Sequence, residues 1–364
     1  MIRFECDYNE GAHERILQRL METNMEQTSG YGTDAHCERA RTLIRQACGN
    51  EGADVHFLVG GTQTNTTVIA SILRPHQGVI AAVSGHIAVH ETGAIEATGH
   101  KVLTVPSLDG KITAAQVKAV YDAHVQESSP EHSVQPGMVY ISQPTENGTM
   151  YSKAELEAIY EVSRACELPF FIDGARLGYA LASKACDMTL ADLACLCDVF
   201  YIGGTKIGAL MGEAVVIVND ALKRDFRYII KQKGGLLAKG RLLGIQFETL
   251  FEDGLYLEIS KHAVDMAVRI HDTLEQHGVE FLYSSPTNQQ FPILPDALLQ
   301  QLSSQYTFTF WEKVDTSRSA VRFCTSWATR QENVDALTRD IVRLLQGNEG
   351  QDEPVAVFQT AATV

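Results

Sequence analysis

Positive charge is scarce in this chain. It sets 30 lysines and arginines against 45 aspartates and glutamates, a formal net charge of −15. A chain of that sign repels phosphate backbones and anionic lipid, which disfavours nucleic-acid and membrane-surface roles. Nor does any apolar run reach the roughly 18–20 residues that a membrane-crossing helix needs. The opening residues, MIRFECDYNEG, carry acidic side chains and no apolar stretch, so no secretory signal is expected there. Eight cysteines are present, yet none forms a Cys-x-x-Cys. Cys195 and Cys197 stand two apart with no further Cys or His at ligand spacing, so reduced, mostly buried thiols are expected and no metal site is. Internal repeats and coiled-coil heptads are also missing. What is left is 364 residues, 45% hydrophobic and 21% charged, the length and composition of a packed two-domain protein. A cytoplasmic enzyme is the class these absences favour.

The first two-thirds alternates strand-like apolar runs with amphipathic helical stretches. Runs at 55–59, 79–83, 102–105, 138–142, 169–173, 198–203 and 213–218 read as strands. A helical pattern through Val68, Ile69, Ile72 and Leu73 stops before Pro75, and Ser152-Lys153-Ala154-Glu155 is a capping box opening another helix. Near-continuous apolar strands separated by helices predict an α/β fold, a mostly parallel sheet covered on both faces. The character changes after Leu222. A basic, glycine-containing stretch at 227–241 leads into a long helical pattern from about Leu243 to His277. Three β-rich pieces follow, at 279–283, 306–310 and 320–324, and a second capping box at Thr329–Glu332 starts a last helix through Val334, Leu337, Ile341 and Leu344. This predicts a large domain over 1–245, with residues 1–50 helical, a small α+β domain over 246–346 and a disordered tail over 347–364.

Four features carry chemistry, and each is weak by itself. Gly60-Gly61-Thr62 follows a strand but is neither a dinucleotide fingerprint nor a P-loop. It puts a hydroxyl and free N–H groups at a helix N-terminus, where they can hold one phosphate, and read alone it is as well explained by a tight βα turn. Asp173 closes the apolar run Pro169–Ile172, at the strand end where open α/β sheets bind ligands. An N-cap role is its plain alternative, against which stand Arg176 one turn on and the small Gly174-Ala175. Lys206 lies between Gly203-Gly204-Thr205 and Ile207-Gly208-Ala209. A lysine desolvated in such surroundings has a lowered pKa and becomes a nucleophile able to form Schiff bases. The fourth feature is the His-rich segment His86-Ile87-Ala88-Val89-His90-Glu91.

Taken in order with Gly61-Thr62-Gln63-Thr64-Asn65, Asp173-Gly174-Ala175-Arg176-Leu177, Gly203-Gly204-Thr205-Lys206 and Val321-Arg322, these motifs resemble the threonine aldolase branch of fold-type I pyridoxal-5′-phosphate enzymes. The resemblance runs to about Leu345. It implies a seven-stranded-type sheet flanked by helices, with pyridoxal 5′-phosphate (PLP) bound as a Schiff base to Lys206. Asp173 would pair with the pyridine nitrogen; Gly61, Thr62 and Thr205 would hold the phosphate. His86 resembles the imidazole that stacks on the ring and relays protons. Arg176 and Arg322 would grip the substrate carboxylate by paired charge-assisted hydrogen bonds. Lys233, in the basic stretch, resembles the segment that reaches a neighbouring subunit's phosphate. The family implies a homodimer or homotetramer with active sites at the interface, to which residues 1–50 would lie close.

Two departures stand out. Where the family commonly carries an Asn-Thr-His-Asn-type run, this chain reads Gln143-Pro144-Thr145-Glu146-Asn147-Gly148, so Glu146 replaces the imidazole that meets the substrate β-hydroxyl. An unperturbed glutamate titrates near 4.3 rather than 6.5. A residue pairing with an arginine, or capping the Asn147-Gly148 turn, is the structural alternative. Glu5-Cys6-Asp7 stands where Arg-Ser-Asp is common, which takes away a serine contact to the carboxylate. The reaction implied is cleavage of L-threonine, L-allo-threonine or a related β-hydroxy-α-amino acid to glycine and an aldehyde, with Lys206, His86 and Glu146 as catalytic residues. A β-eliminating lyase or aminotransferase is the rival with the same cofactor, and a non-catalytic relative the rival of another class.

Overall fold

Runs of aromatic and β-branched residues make the centre of the fold. The computed structural model describes residues 1–348. Seven strands form one sheet: β1 (Asp54–Leu58), β2 (Gln77–Ala82), β3 (Lys101–Val105), β4 (Gln135–Ser142), β5 (Phe170–Asp173), β6 (Val199–Gly203) and β7 (Glu213–Ile217). Their spatial order is β1-β7-β6-β5-β4-β2-β3. All neighbours are parallel except β7, which runs antiparallel to both β1 and β6. The expected α/β architecture is therefore present, and each of the seven sequence runs contributes a strand.

Both faces are covered, so consecutive residues of one strand feed different cores. Phe170, Ile172, Phe200 and Ile202 enter one, with Ile16 and Ile44 of the two N-terminal helices Glu14–Glu22 and Ala35–Ala47. Phe171, Val199 and Tyr201 enter the other, against Val68 and Ile69 of the helix Gly61–Ile72. The capping box at Ser152 forms as expected, its side chain taking the N–H of Glu155.

The C-terminal part has a third core. Arg318–Cys324 is the middle strand of an antiparallel sheet, flanked by Ile293–Pro295 and Thr309–Lys313. Leu294, Leu298, Val321, Phe323, Val334, Leu337 and Ile341 pack beneath it. Phe4 joins this core, and Ile2–Arg3 pairs in parallel with Tyr306–Thr307. The helix Leu255–Glu275 serves two cores: Leu255, Tyr256, Ile259 and Ala263 enter the first, Met266, Ile270 and Leu274 the third.

Four expectations for this part need correction. The single helix from Leu243 to His277 is two, Arg241–Phe251 and Leu255–Glu275, because Asp253 and Gly254 turn into the left-handed region (φ 55° and 74°) and break the hydrogen-bond ladder. Residues 279–283 make an isolated bridge, Phe281 to Pro292, instead of a strand. The Thr329 hydroxyl accepts the N–H of Ser326, so the second capping box is replaced by a turn before the helix Gln331–Asn348. That helix runs through Gly347 and Asn348, where a tail was expected; the rest of the expected tail, 349–364, lies outside the described residues.

The C-terminal ends of the parallel strands share one edge of the sheet. The loop after β5 crosses the end of β6 so closely that Gly203 N–H donates to the Gly174 carbonyl (2.9 Å). A Cβ on Gly174 would lie 1.9 Å from the Tyr201 carbonyl oxygen. Gly174→Ala must therefore push two strands' backbones apart, and we expect it to cost at least about 1–3 kcal/mol. A denaturant midpoint equal to that of the parent would show that the two backbones cross more loosely than this.

Candidate active site

Asp173 ends β5 at that edge, 4% exposed. Four donors reach its carboxylate. Tyr201 O–H (2.5 Å) and Ala175 N–H (3.0 Å) donate to Oδ1; Tyr140 O–H (2.7 Å) and Asn65 Nδ2 (3.0 Å) donate to Oδ2. Burial alone would raise its pKa, but the nearby His86 charge and the tyrosine hydrogen bonds outweigh it and hold the group below the ordinary carboxylate range. The N-cap alternative does not describe this geometry, since the next helix, Leu177–Ala182, is preceded by Arg176.

Lys206 sits half-buried in the loop joining β6 to β7. Its ammonium has no hydrogen-bond partner among the described residues. Burial and the Arg176 charge pull its pKa down, against Asp7, Glu213 and Asp173. The loop is pinned on both sides of the lysine. Tyr179 O–H donates to the Lys206 carbonyl (2.5 Å), Gly204 N–H donates to Glu213 Oε2 (3.1 Å), and Gln246 Oε1 accepts Leu210 N–H (2.7 Å). The Thr205 hydroxyl is engaged inside the loop, accepting Gly212 N–H (3.0 Å). Glu213, at the start of β7 opposite Gly203, is buried, and burial lifts its pKa to about 7 in spite of Lys206.

His86 begins a one-turn helix, His86–Val89, after β2. Its Nδ1 faces Glu91 Oε1 (2.9 Å). Burial lowers its pKa, but the Glu91 hydrogen bond and the charges of Asp173 and Glu146 overcome this and raise it. Glu146 lies beside it. One oxygen, Oε1, accepts both Ser142 O–H (2.7 Å) and the backbone N–H of His86 (3.2 Å). Neither structural alternative for Glu146 is formed: among the described residues it pairs with no arginine, and its carboxylate anchors the His86 segment rather than the Asn147-Gly148 turn. Burial raises its pKa, only partly countered by Ser142.

The two arginines are committed differently. Arg176 makes a bidentate pair with the buried Asp7, Nε to Oδ2 (2.6 Å) and Nη2 to Oδ1 (3.0 Å). That leaves Nη1 without a partner among the described residues. Burial opposes the guanidinium's charge, and Asp7 holds it firmly protonated. Arg322 lies over the Trp311 ring (5.5 Å) and donates to the Glu5 carbonyl (3.0 Å) and Gln289 Oε1 (3.2 Å), while its Nε is buried without a partner among the described residues. At the start of the helix Gly61–Ile72, the N–H groups of Gly61, Thr62 and Gln63 have no acceptor among the described residues, the Thr62 side chain is exposed, and Gln63 Nε2 reaches the Lys233 carbonyl of the same chain (3.2 Å).

Sequence reasoning passes over Tyr140, Tyr201 and Glu213 as site residues, and names Asp7, Asn65 and Glu91 only as parts of motifs. A signal exists for the tyrosines: in a fully buried apolar run, a phenol needs a partner for its hydroxyl. For Asp7 and Glu213 there is none, because the groups they meet are distant in the chain or defined only by the loop's path.

The sheet order, the helix-started anion cradle and a buried aspartate beside an unpaired lysine define a PLP-dependent enzyme of the aminotransferase-type fold. The chain belongs to the beta-eliminating lyase family, whose sequence model matches residues 8–297. It is 30% identical over 346 residues to a low specificity L-threonine aldolase of a Pseudomonas species, covering 93% of this chain and 96% of that one. A solved threonine aldolase of Leishmania major superposes with a TM-score of 0.92 at 45% identity, over 95% of this chain and 100% of that one. An aspartate aminotransferase of Thermus thermophilus, 13% identical, shares the fold alone (TM-score 0.68, covering 94% and 91%). The fold and family imply PLP as cofactor. No described helix is long and apolar enough to cross a membrane.

Glu213 makes a stability prediction with a definite sign. Its folded pKa, about 7, lies above its unfolded value near 4.5. The carboxyl therefore favours the folded state fully below pH 4.5, and that stability is lost as pH rises to 7. Glu213→Gln keeps the acceptor for Gly204 N–H and removes the ionisation. The unfolding free energy of the variant minus that of the parent should grow by about 2–3 kcal/mol between pH 4.5 and 7.5. Urea titrations at several pH values measure it, and a constant difference would mean that Glu213 finds a cation.

Proposed function

We propose that the chain is a PLP-dependent aldolase that cleaves β-hydroxy-α-amino acids, with L-threonine or L-allo-threonine giving glycine and acetaldehyde. The observation that carries this reading is the gathering of Lys206, Asp173, His86 and Glu146 at one sheet edge in a chain of this family. The residues present fit the cofactor: an unpaired half-buried amine, a buried carboxylate kept ionised, and three free N–H groups at a helix start. Lys206 would hold the cofactor aldehyde as a Schiff base, Asp173 would face the pyridine nitrogen, and Gly61, Thr62 and Thr205 would hold the phosphate. Lys233 would stand at the same helix start. When bound, PLP supplies an electron sink for the pair left on the substrate Cα.

The protein's own part is to orient and to move protons. Arg322, and Arg176 through Nη1, would bind the substrate carboxylate and fix which Cα bond lies ready to break. Glu146 or His86 would take the β-hydroxyl proton as the Cα–Cβ bond breaks and the aldehyde leaves; a proton returned to Cα completes glycine. A carboxyl whose pKa burial has raised is a better proton acceptor than an ordinary glutamate, which suits Glu146 to the place of an imidazole. We further propose a homodimer or homotetramer with sites at the interface. Exposed apolar side chains support it: Leu17 and Met21 on the N-terminal helix, Met25 after it, and Tyr228. The eight unpaired cysteines support a cytoplasmic location.

Two substitutions test this reading. Lys206→Ala should abolish the visible absorbance of the bound cofactor and essentially all release of glycine, with the circular dichroism spectrum unchanged; near-normal turnover would sink the proposal. Glu146→Gln preserves shape and removes the proton acceptor. It should cut threonine cleavage by at least about 100-fold, the span of one general-base contribution, while glycine affinity changes little. Equal small losses in both assays would leave Glu146 a structural role only. Pyruvate and ammonia from serine, with no glycine from threonine, would favour β-elimination instead.

A further inference from the structure

A chain of hydrogen bonds runs from Asp173 to His86 through two residues that the proton transfers above leave unused. Asn65 Nδ2 donates to Asp173 Oδ2 (3.0 Å) and to Glu91 Oε1 (2.8 Å), and the same Glu91 oxygen meets His86 Nδ1 (2.9 Å). Resting on the reading that His86 works at this site, we propose that Glu91, clamped by Asn65, is a positioning residue that keeps the proton on Nδ1 of His86 and leaves Nε2 as its basic nitrogen.

The geometry allows little else. A carboxylate only accepts, so the hydrogen between Glu91 and the ring belongs to Nδ1. In a neutral imidazole the lone pair then lies on Nε2. Glu91 cannot swing away, because Asn65 spends both amide hydrogens on two carboxylates. The Glu91 side chain is fully buried, whereas that of His86 is 32% exposed, so the acid sits behind the ring and the ring faces the cleft. Glu91 Oε2 is buried without a partner, and no lysine or arginine pairs with Glu91 among the described residues. Its charge is therefore directed at His86. This is the logic by which a buried carboxylate orients a catalytic imidazole elsewhere.

The groups that face His86 come from four places. Glu91 belongs to its own segment, Asp173 to the end of β5 and Glu146 to the turn after β4. The His90 ring stands 5.6 Å away, with Arg176 and Arg322 beyond it. Removing one of three negative charges should be visible against that background.

Glu91→Gln isolates the charge, since its amide oxygen can still accept from both Nδ1 and Asn65. With histidines labelled at Cε1, each of the 12 rings can be titrated by NMR in the purified full-length protein, and the His86 signal is the one lost in His86→Asn. The midpoint of His86 should fall by about one pH unit in Glu91→Gln, the effect of losing an adjacent opposite charge. Glu91→Asp, which restores the charge on a shorter arm, should recover part of it and serves alone if the glutamine variant fails to fold. In threonine cleavage the acid limb of kcat/KM should move down by the same amount. An unchanged His86 midpoint in a folded variant would overturn the proposal. A parent enzyme that makes no glycine would overturn the aldolase reading instead, because the titration is read from the ring and not from turnover.

Discussion

A carboxylate must stay ionised inside the sheet, and most of the site follows from that constraint. Moving an anion out of water costs several kcal/mol even after a protein relaxes around it. Asp173 meets the cost with donors from four separate elements: Tyr140 from β4, Tyr201 from β6, Asn65 from the helix after β1, and the N–H of Ala175 in its own turn. No local arrangement could supply these. The strand order β6-β5-β4 puts a tyrosine on either side, and both phenols point to the face that the helix Gly61–Ile72 covers. Gly174 is small because the turn that carries the Ala175 N–H passes directly over the backbone of β6.

The charges around Asp173 are balanced against each other rather than paired off. Lys206 is pulled toward neutrality and Glu213 toward protonation by the same burial, and neither has an ion-pair partner among the described residues. A tight salt bridge to Lys206 would have stabilised its ammonium and made it a poorer nucleophile. The loop is instead fixed through its backbone, by Glu213, Gln246 and Tyr179, so the amine stays free while its position does not. Position and protonation are controlled by different atoms.

Legibility in the sequence followed the range of the interactions. The seven strands read correctly because each is a local apolar run, and Asp173 and Lys206 stood out because their neighbours are small or apolar. The break at Asp253-Gly254 was hidden because the helical apolar pattern continues through it with only the backbone angles changed. The Thr329 capping box failed for a local reason that its pattern does not show, since the hydroxyl accepts the N–H of Ser326 three residues earlier in a turn that precedes the helix. Of the site, the motifs were visible and the network was not. Asn65 and Glu91 read as parts of motifs, but that one amide joins two carboxylates 108 residues and 26 residues away is a property of the fold.

The departure at Glu5-Cys6-Asp7 gains its meaning from where the first residues go. Ile2–Arg3 and Phe4 are built into the C-terminal part, while Asp7 reaches Arg176 beside the sheet edge and His13 N–H meets the Gly208 carbonyl in the lysine loop. The segment between is a strap across the cleft. Both candidate carboxylate-binding arginines are held by it, Arg176 through the Asp7 side chain and Arg322 through the Glu5 carbonyl. The Glu5 side chain turns the other way, accepting from Thr307, and Cys6 Sγ donates to Asn9. Cys6 is thus engaged within its own segment, while Asp7 anchors the strap to Arg176. Asp7 takes the Nε hydrogen and one Nη2 hydrogen of Arg176, which leaves two hydrogens on Nη1 and one on Nη2. The end-on Nη1–Nη2 edge of Arg176 therefore remains a two-pronged donor with Asp7 in place, whereas both Nη atoms of Arg322 already donate within the chain and its Nε is buried.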